Sequence, residues 1–409
     1  MAGSGKLPNG PVRNKENSPF TPGNPVPVEL FVGRAEQIEA IRRYARQACT
    51  GRMENVFLTG DRGIGKSSLA RFVTELCRKD CAMLGVHAHL GGVTTVEELV
   101  RRVFEQLLKE AHTQTWFSKI KGFFGNYIKE VGLLGVSVGF APPKDQLEGV
   151  VRDFPAAIKS IQNALQEDYK GLIFVLDDLN GLADQAEFAN WYKSFVDHTA
   201  TQEWRLPVLF ILCGLPERRD SLARLQPSLM RIFRPVEIER LSDQEVEDFF
   251  EHTFQIAGII GDQKVFHLMA RHCSGLPTLM HEVGDAVFWV DSDGIVDWDD
   301  VSQGLRNAAE EVGKKYLDPM VYRATRSKHY LEILGKIANA PRQEFCKQEV
   351  EKKLNDEEKK VFHNFLRKFR DLGVIESVPG HGRGVYRFVN QLFFIYINMQ
   401  IRSKSKIVH

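Results

Sequence analysis

The sequence lacks an excess of either charge: 54 lysines and arginines stand against 53 aspartates and glutamates among 409 residues. No global field therefore draws the whole chain to nucleic acid or to a membrane, and any such binding must come from a local patch. No CxxC pair occurs. The six cysteines, Cys49, Cys77, Cys81, Cys213, Cys273 and Cys346, are scattered. Cys77 and Cys81 fall one helical turn apart but have no neighbouring histidines, so ordinary thiols are expected rather than a metal site. Such usage suits a reducing cytoplasm. No apolar signal segment opens the chain. The most apolar run, Val131 to Ala141, falls short of the ~20 residues that a bilayer-spanning helix needs. The expectation is a soluble, cytoplasmic protein with no membrane partner. There is no internal repeat, and no low-complexity tract beyond the first residues.

What is present suits a large globular chain. An apolar fraction of 43% allows a sizeable core, and the length predicts two or three domains. Residues 1–27 are rich in Pro, Gly and Asn without periodic apolar positions, and read as a flexible arm. From residue 28 to 240, continuous apolar strands alternate with helices. The strands are Asn55–Thr59, Leu84–Leu90, Leu172–Asp177, Leu206–Cys213 and Pro235–Ile238. Strands without polar alternation, separated by helices, predict an α/β domain whose parallel sheet is covered on both faces. Residues 111–150 interrupt the rhythm with Trp116, Phe117, Phe123, Phe124 and Tyr127. They read as a helix and small hairpin packed on the core, or as a partner-binding insertion. Residues 241–320 turn helical, opening on a Ser242–Glu245 capping box, and predict a compact lid. Residues 321–409 hold three helical patterns and then two short strands about the glycine-rich tip Pro379–Gly384, which predicts a winged helix.

Gly60-Asp-Arg-Gly63-Ile64-Gly65-Lys66-Ser67 fits the GxxxxGK[ST] spacing between an apolar strand and a helix. Glycines let backbone N–H groups turn inward around phosphate oxygens, and the following helix N-terminus adds partial positive charge. Lys66 would place an ammonium on the β- and γ-phosphates, and the Ser67 hydroxyl would ligate Mg²⁺. Ile64 and Ser68 join the expected cradle. Such a site also needs a carboxylate at the tip of a neighbouring strand. Asp177 ends an apolar strand and would hold Mg²⁺, while Asp178 could orient or deprotonate the attacking water. ATP and Mg²⁺ are the expected cofactors. The Asn-Lys-x-Asp motif of guanine readers is missing. The strand ending at Cys213 should lie between the two phosphate-site strands, but a thiol is a poor hydrogen-bond group there.

These marks together resemble the AAA+/STAND class of P-loop ATPases, in particular the origin-recognition-like and archaeal-type members. The resemblance rests on Phe31-Val32-Gly33-Arg34-x-x-Gln37, the phosphate loop, Asp177-Asp178 and Gly275-Leu-Pro277. It implies that Val32, Gly33 and Arg34 pack on adenine, and that Gly275 and Pro277 lie near base and ribose. Gln37 departs from the family's usual Glu. No Arg follows Gly275-Leu-Pro277 in the lid, which implies a switch with slow turnover, unless His281, expected on a helix surface, substitutes. Relatives that assemble pass an arginine to the next subunit's γ-phosphate. Arg231 and Arg234 fit that role, and Arg218 and Arg219 come next.

The third helix of the winged helix carries Lys359, Lys360, Arg367 and Lys368, and the wing tip Arg383. Such a helix can enter a major groove, with the wing on the backbone. The same helix carries Asp356, Glu357 and Glu358, and a charge run is often a solvated face. Two readings stand. One is a slowly hydrolysing ATPase whose nucleotide state controls homo-oligomeric assembly and double-stranded DNA binding. The other is a signalling or defence switch whose winged helix docks protein.

Overall fold

The computed structural model describes residues 15–24, 26–110, 128–131, 137–140, 142–323, 327–338, 343–378 and 384–407. They form two compact units, one spanning residues 25–239 and the other joining the N-terminal segment up to Asn24 with residues 240–409.

In the first unit, α1 (Ala35–Cys49) buries Ile41, Ala45 and Ala48, one face at helical spacing. Then come β1 (Glu54–Thr59), α2 (Lys66–Cys81), β2 (Met83–His89) and α3 (Val96–Lys109). An antiparallel hairpin follows, β3 (Ile128–Val131) and β4 (Ser137–Phe140). Next are α4 (Lys144–Arg152), α5 (Phe154–Leu165), β5 (Gly171–Asp177), α6 (Ala186–Thr201), β6 (Val208–Gly214), α7 (Pro216–Leu225) and β7 (Arg234–Glu237). The main sheet has the order β2-β5-β6-β1-β7, and every neighbouring pair is parallel. β6 thus lies between β5 and β1, as the sequence predicts.

Every residue of β1, β5 and β6 is buried, which explains their unbroken apolar runs. One face of the sheet meets an aromatic cluster in which Tyr192, Phe195 and Phe210 interlock. The Tyr192 hydroxyl donates to Asn55 Oδ1 at 2.7 Å, so a polar tip entering the core is satisfied. Phe140 of the hairpin is fully buried and meets Phe104 edge-on at 5.4 Å, so this part of the 111–150 insertion packs on the core. Trp116, Phe117, Phe123, Phe124 and Tyr127 lie outside the described residues.

The second unit begins with α8 (Asp243–Ile256), capped reciprocally by Ser242 and Glu245, then β8 (Ile260–Gly261), α9 (Gln263–Cys273), α10 (Pro277–Val290), β9 (Ile295–Val296) and α11 (Trp298–Val312). A wide-turned helical stretch, Gly313–Arg323, carries Pro319 inside it, where proline removes a helical hydrogen bond. The winged helix follows as α12 (Lys328–Ala338), β10 (Glu344–Cys346), α13 (Lys347–Glu351), α14 (Asp356–Asp371), β11 (Ile375–Ser377) and β12 (Val385–Phe388). Its antiparallel sheet has the order β10-β12-β11. The final helix, α15 (Gln391–Ile407), packs against α11. Its Tyr396 ring lies over the Gly313 backbone, where an added Cβ would meet it at 2.2 Å, and its hydroxyl donates to Asp318 Oδ1 at 2.6 Å. Helical lid and winged helix therefore share one unit rather than two separate ones.

The N-terminal segment departs from its reading as a flexible arm over residues 15–24. Phe20 is only 3% exposed. It meets Phe254 at 5.0 Å and Phe249 at 5.9 Å. Lys15 Nζ pairs with Asp291 Oδ2 at 2.8 Å, donates to the carbonyls of Phe288 and Asp291 and lies over the Phe288 ring. The segment lacks periodicity because it packs through isolated anchors, which no helical or strand repeat reveals. His281 is displaced in the same way: expected on a helix surface, it is buried, and its Nδ1 accepts from the Thr21 N–H at 3.0 Å.

Candidate functional site

The loop from Gly60 to Gly65 leaves the C-terminal end of β1 and enters α2, the edge of a parallel sheet where ligands bind. Gly63 and Gly65 hold φ of 74° and 96°, values that only glycine adopts without strain. Gly60 is required sterically, because a Cβ there would meet the Ile238 carbonyl oxygen at 2.8 Å. Lys66 Nζ donates to the carbonyls of Gly60 and Asp61, both at 2.8 Å, so the ammonium curls over its own loop. Burial lowers its pKa, opposed by Cys213 and Asp177 nearby. Ile64 is buried, and its N–H closes a turn onto the Asp61 carbonyl at 3.4 Å.

Ser67, in the first turn of α2, and Asp177, at the end of β5, come together, with the Ser67 hydroxyl hydrogen-bonded to the buried Asp177 carboxylate. Burial pushes this carboxyl up, but the His87 and Ser67 hydrogen bonds and the His87 and His89 imidazoles outweigh it, so its pKa is lowered. His87 Nε2 lies 2.9 Å and His89 Nδ1 3.5 Å from Asp177 Oδ2. Both histidines come from β2, where positions two apart face the same side, and His89 is in register with Asp177 of β5. Sequence reasoning missed them. The available signal was His87-Ala-His89 at the end of the strand beside the Asp177 strand.

Asp178 is exposed and left-handed, with φ 63° and ψ 60°, a conformation that costs a non-glycine residue energy and often marks a functional position. Its carboxylate accepts from the Asn180 side chain. Cys213 is buried at the end of β6, and burial, followed by the nearby Asp177 charge, pushes its thiol pKa well up. It therefore stays a neutral thiol beside the loop.

Arg34 is buried and left-handed, with φ 63°, and its guanidinium donates to the Ile64 carbonyl at 3.4 Å. This contact brings the segment Val32, Gly33 and Arg34 against the phosphate loop. Phe31 stacks on Phe72 of α2 at 4.5 Å. Ser68 is buried and accepts from the Val26 N–H at 3.3 Å, so its hydroxyl is engaged in holding the incoming chain. Arg231 is exposed at the end of the Pro227–Arg231 turn. Arg234 leans toward the start of β1, with its Nε 3.4 Å from Glu54 Oε2 and its guanidinium over the Tyr44 ring. That is the sheet edge opposite the loop, so Arg234 is no part of this chain's own cradle. Arg218 pairs with Asp184, and Arg219 with Asp220.

Gly275 and Pro277 belong to the second unit. Gly275 has φ 66°, and a Cβ there would meet the Leu241 carbonyl oxygen at 2.2 Å, so glycine is demanded by packing alone. Pro277 opens α10. On α14, residues Lys359, Lys360, His363, Arg367 and Arg370 are exposed and recur at helical spacing on one side. Lys359 pairs with Asp356 at 3.7 Å and Lys360 with Glu357 at 2.6 Å. Arg367 donates to Asn364 Oδ1 at 3.2 Å, and Lys368 is half-buried over the Tyr330 ring. Arg383 lies outside the described residues. Among the described residues, no helix is long and apolar enough to cross a membrane.

Comparison with known proteins bears on this geometry. Residues 30–211 match the model of the AAA ATPase domain. The whole chain is similar in structure to the ORC2 protein of Aeropyrum pernix, solved as ADPNP–ADP complexes, with a TM-score of 0.56, 15% identity and coverage of 96% of this chain and 98% of that one. It is also similar to a Walker-type ATPase of Pyrococcus abyssi, with a TM-score of 0.51, 15% identity and coverage of 90% and 96%. In sequence it is 21% identical over 266 residues to an uncharacterised HTH-type transcriptional regulator of Methanocaldococcus jannaschii, a match that spans 61% of each.

Proposed function

We propose, from the match of residues 30–211 to the AAA ATPase domain model, that the chain binds ATP, hydrolyses it slowly, and uses the bound nucleotide to control assembly and the grip of its winged helix on double-stranded DNA. The observation that carries this reading is the Ser67–Asp177 hydrogen bond beside the Lys66 ammonium. Three groups, two from the first turn of α2 and one from the end of β5, converge where a triphosphate would meet the loop.

Ser67 and Asp177 are hard oxygen donors that fit Mg²⁺, which when bound would neutralise charge on the β- and γ-phosphates. The chain's own residues supply the rest. The left-handed glycines turn loop amides inward, and Lys66 exchanges its two carbonyl acceptors for phosphate oxygens. Asp178 orients the attacking water from its strained position. Val32, Gly33 and Arg34 sit against the loop and line the adenine side. Arg231 is exposed and free to serve a neighbouring copy, and Arg234 would have to leave Glu54 to do so. The missing lid arginine supports slow turnover.

Calorimetric titration with a non-hydrolysable ATP analogue tests this. Lys66→Ala should weaken binding by about ten- to a hundredfold, since hydrogen bonds to charged groups contribute about 1.5–3 kcal/mol. Unchanged affinity would overturn the reading. Gel shifts with duplex DNA, with and without the analogue, test the second half. The exposed basic side of α14 supports DNA as the partner. The pairing of Lys359 and Lys360 with acids on the same helix favours protein docking instead, and the absence of any shift at low salt would select that alternative.

A further inference from the structure

The His87–His89–Asp177 cluster brings together two imidazoles and a carboxylate, a donor set of a different kind from one that serves a nucleotide. Its three ligand atoms lie within 4.8 Å of one another. The two edges to Asp177 Oδ2, 2.9 and 3.5 Å, bracket the spacing of about 3.3 Å between ligands of a tetrahedral zinc with bonds of about 2.0–2.1 Å. A polar cleft of about 360 Å³ opens onto the cluster and is lined by Ser67, Thr74, His87, His89, Gln106 and Glu110. The His89 side chain is 71% exposed while Asp177 is 6% exposed, so a cation can arrive from solvent and reach a buried anionic ligand. The rings of His87 and His89 already stack with centroids 4.6 Å apart. Two ends of adjacent parallel strands in register hold all three groups.

We propose that His87, His89 and Asp177 bind a divalent transition-metal ion of the zinc class, with a fourth position open to the cleft. Two imidazole nitrogens beside one carboxylate select Zn²⁺ or Co²⁺ over the oxygen-seeking Mg²⁺ and Ca²⁺. Binding requires the Nε2–H that His87 now directs at Asp177 to be given up, so that the Nε2 lone pair meets the metal. The site takes the same carboxylate that the proposed function assigns to the nucleotide's Mg²⁺. On that reading, zinc on the histidines removes Asp177 from phosphate chemistry and acts as an inhibitor.

The test titrates Co²⁺ into the nucleotide-free full-length protein and follows its visible absorption and its stoichiometry. One Co²⁺ per chain is expected, displaced by Zn²⁺ and indifferent to millimolar Mg²⁺. Losing a group that only hydrogen-bonds a metal ligand costs about 10–100-fold in metal affinity, so removing a ligand itself, as in His89→Ala or Asp177→Asn, should cost at least tenfold. His89 is so exposed that its replacement leaves the core intact, and it decides the matter even if His87→Ala misfolds. Lys66→Ala should retain Co²⁺ while losing the ATP analogue, which separates this site from the proposed nucleotide function. Co²⁺ affinity that survives the His87→Ala/His89→Ala double substitution would overturn the proposal, as would binding that occurs only with nucleotide present.

Discussion

Burial decides the chemistry of His281. Its pKa is lowered to about 4 by desolvation, and its Nδ1 accepts the Thr21 N–H, so the neutral ring with hydrogen on Nε2 is the native form. Between the ordinary value of 6.5 and about 4, the unfolded chain binds a proton that the folded chain excludes. Stability from this residue is thus fully present above pH 6.5 and is lost as pH falls through that window, by about 3 kcal/mol at most. An NMR titration of the His281 ring should show no protonation down to pH 5, and a midpoint near 6.5 would refute the buried placement. Tyr192 gives a second residue-scale expectation. Tyr192→Phe leaves buried Asn55 without its donor and should cost about 1–3 kcal/mol in denaturant unfolding. Neither effect was legible in the sequence, because a single His or Tyr in an amphipathic pattern carries no sign of its depth.

At the scale of elements, the N-terminal strap and α14 lead to opposite lessons. The strap is held by Phe20 and Lys15, and Gly284 makes room for the ring: a Cβ there would meet Phe20 Cε1 at 2.2 Å. Gly284→Ala should therefore expel the strap and cost about 1–3 kcal/mol, the usual range for overpacking. Limited trypsin digestion should then cut after Lys15 faster than in the parent, and equal rates would argue that the strap is dispensable. The strap's composition resembles a disordered linker, so only the aromatic pocket on α8 and α10 reveals it. α14 was legible in advance as the helix carrying Lys359, Lys360, Arg367 and Lys368, and the structure adds its Asn355 cap and its buried Phe362, Phe365 and Phe369. Its exposed side yields an expected outcome in duplex-DNA binding. Lys360→Ala with Arg367→Ala should reduce the salt slope by about two, since each phosphate contact contributes about 0.9. An unchanged slope would place the DNA contact elsewhere.

At the scale of the whole molecule, the nucleotide reading predicts mass-action stabilisation. An ATP analogue at about a hundred times its Kd should add about 2.7 kcal/mol to the unit that holds the loop. Thermal unfolding should rise accordingly in the parent and not in Lys66→Ala. The molecule divides into two units, with the lid and the winged helix in one of them, because α15 returns from the winged helix to pack on α11. A boundary drawn along the sequence cannot register such a return, since the contact joins residues far apart in the chain, as Tyr396 against Asp318 at 78 positions shows.

The chain by itself determined the strand–loop–helix at Gly60–Ser67, the apolar strand ending at Asp177, the helix caps and the parallel sheet, because each depends on local spacing, backbone freedom or unbroken apolar runs. Tertiary structure alone decided which side chains share a space. It set His87 and His89 on Asp177, Arg34 on Ile64, Phe20 inside the helical unit and Arg234 at the far edge of the sheet. Those pairings arise from sheet register and from close packing between distant segments, and no periodicity along the chain encodes them.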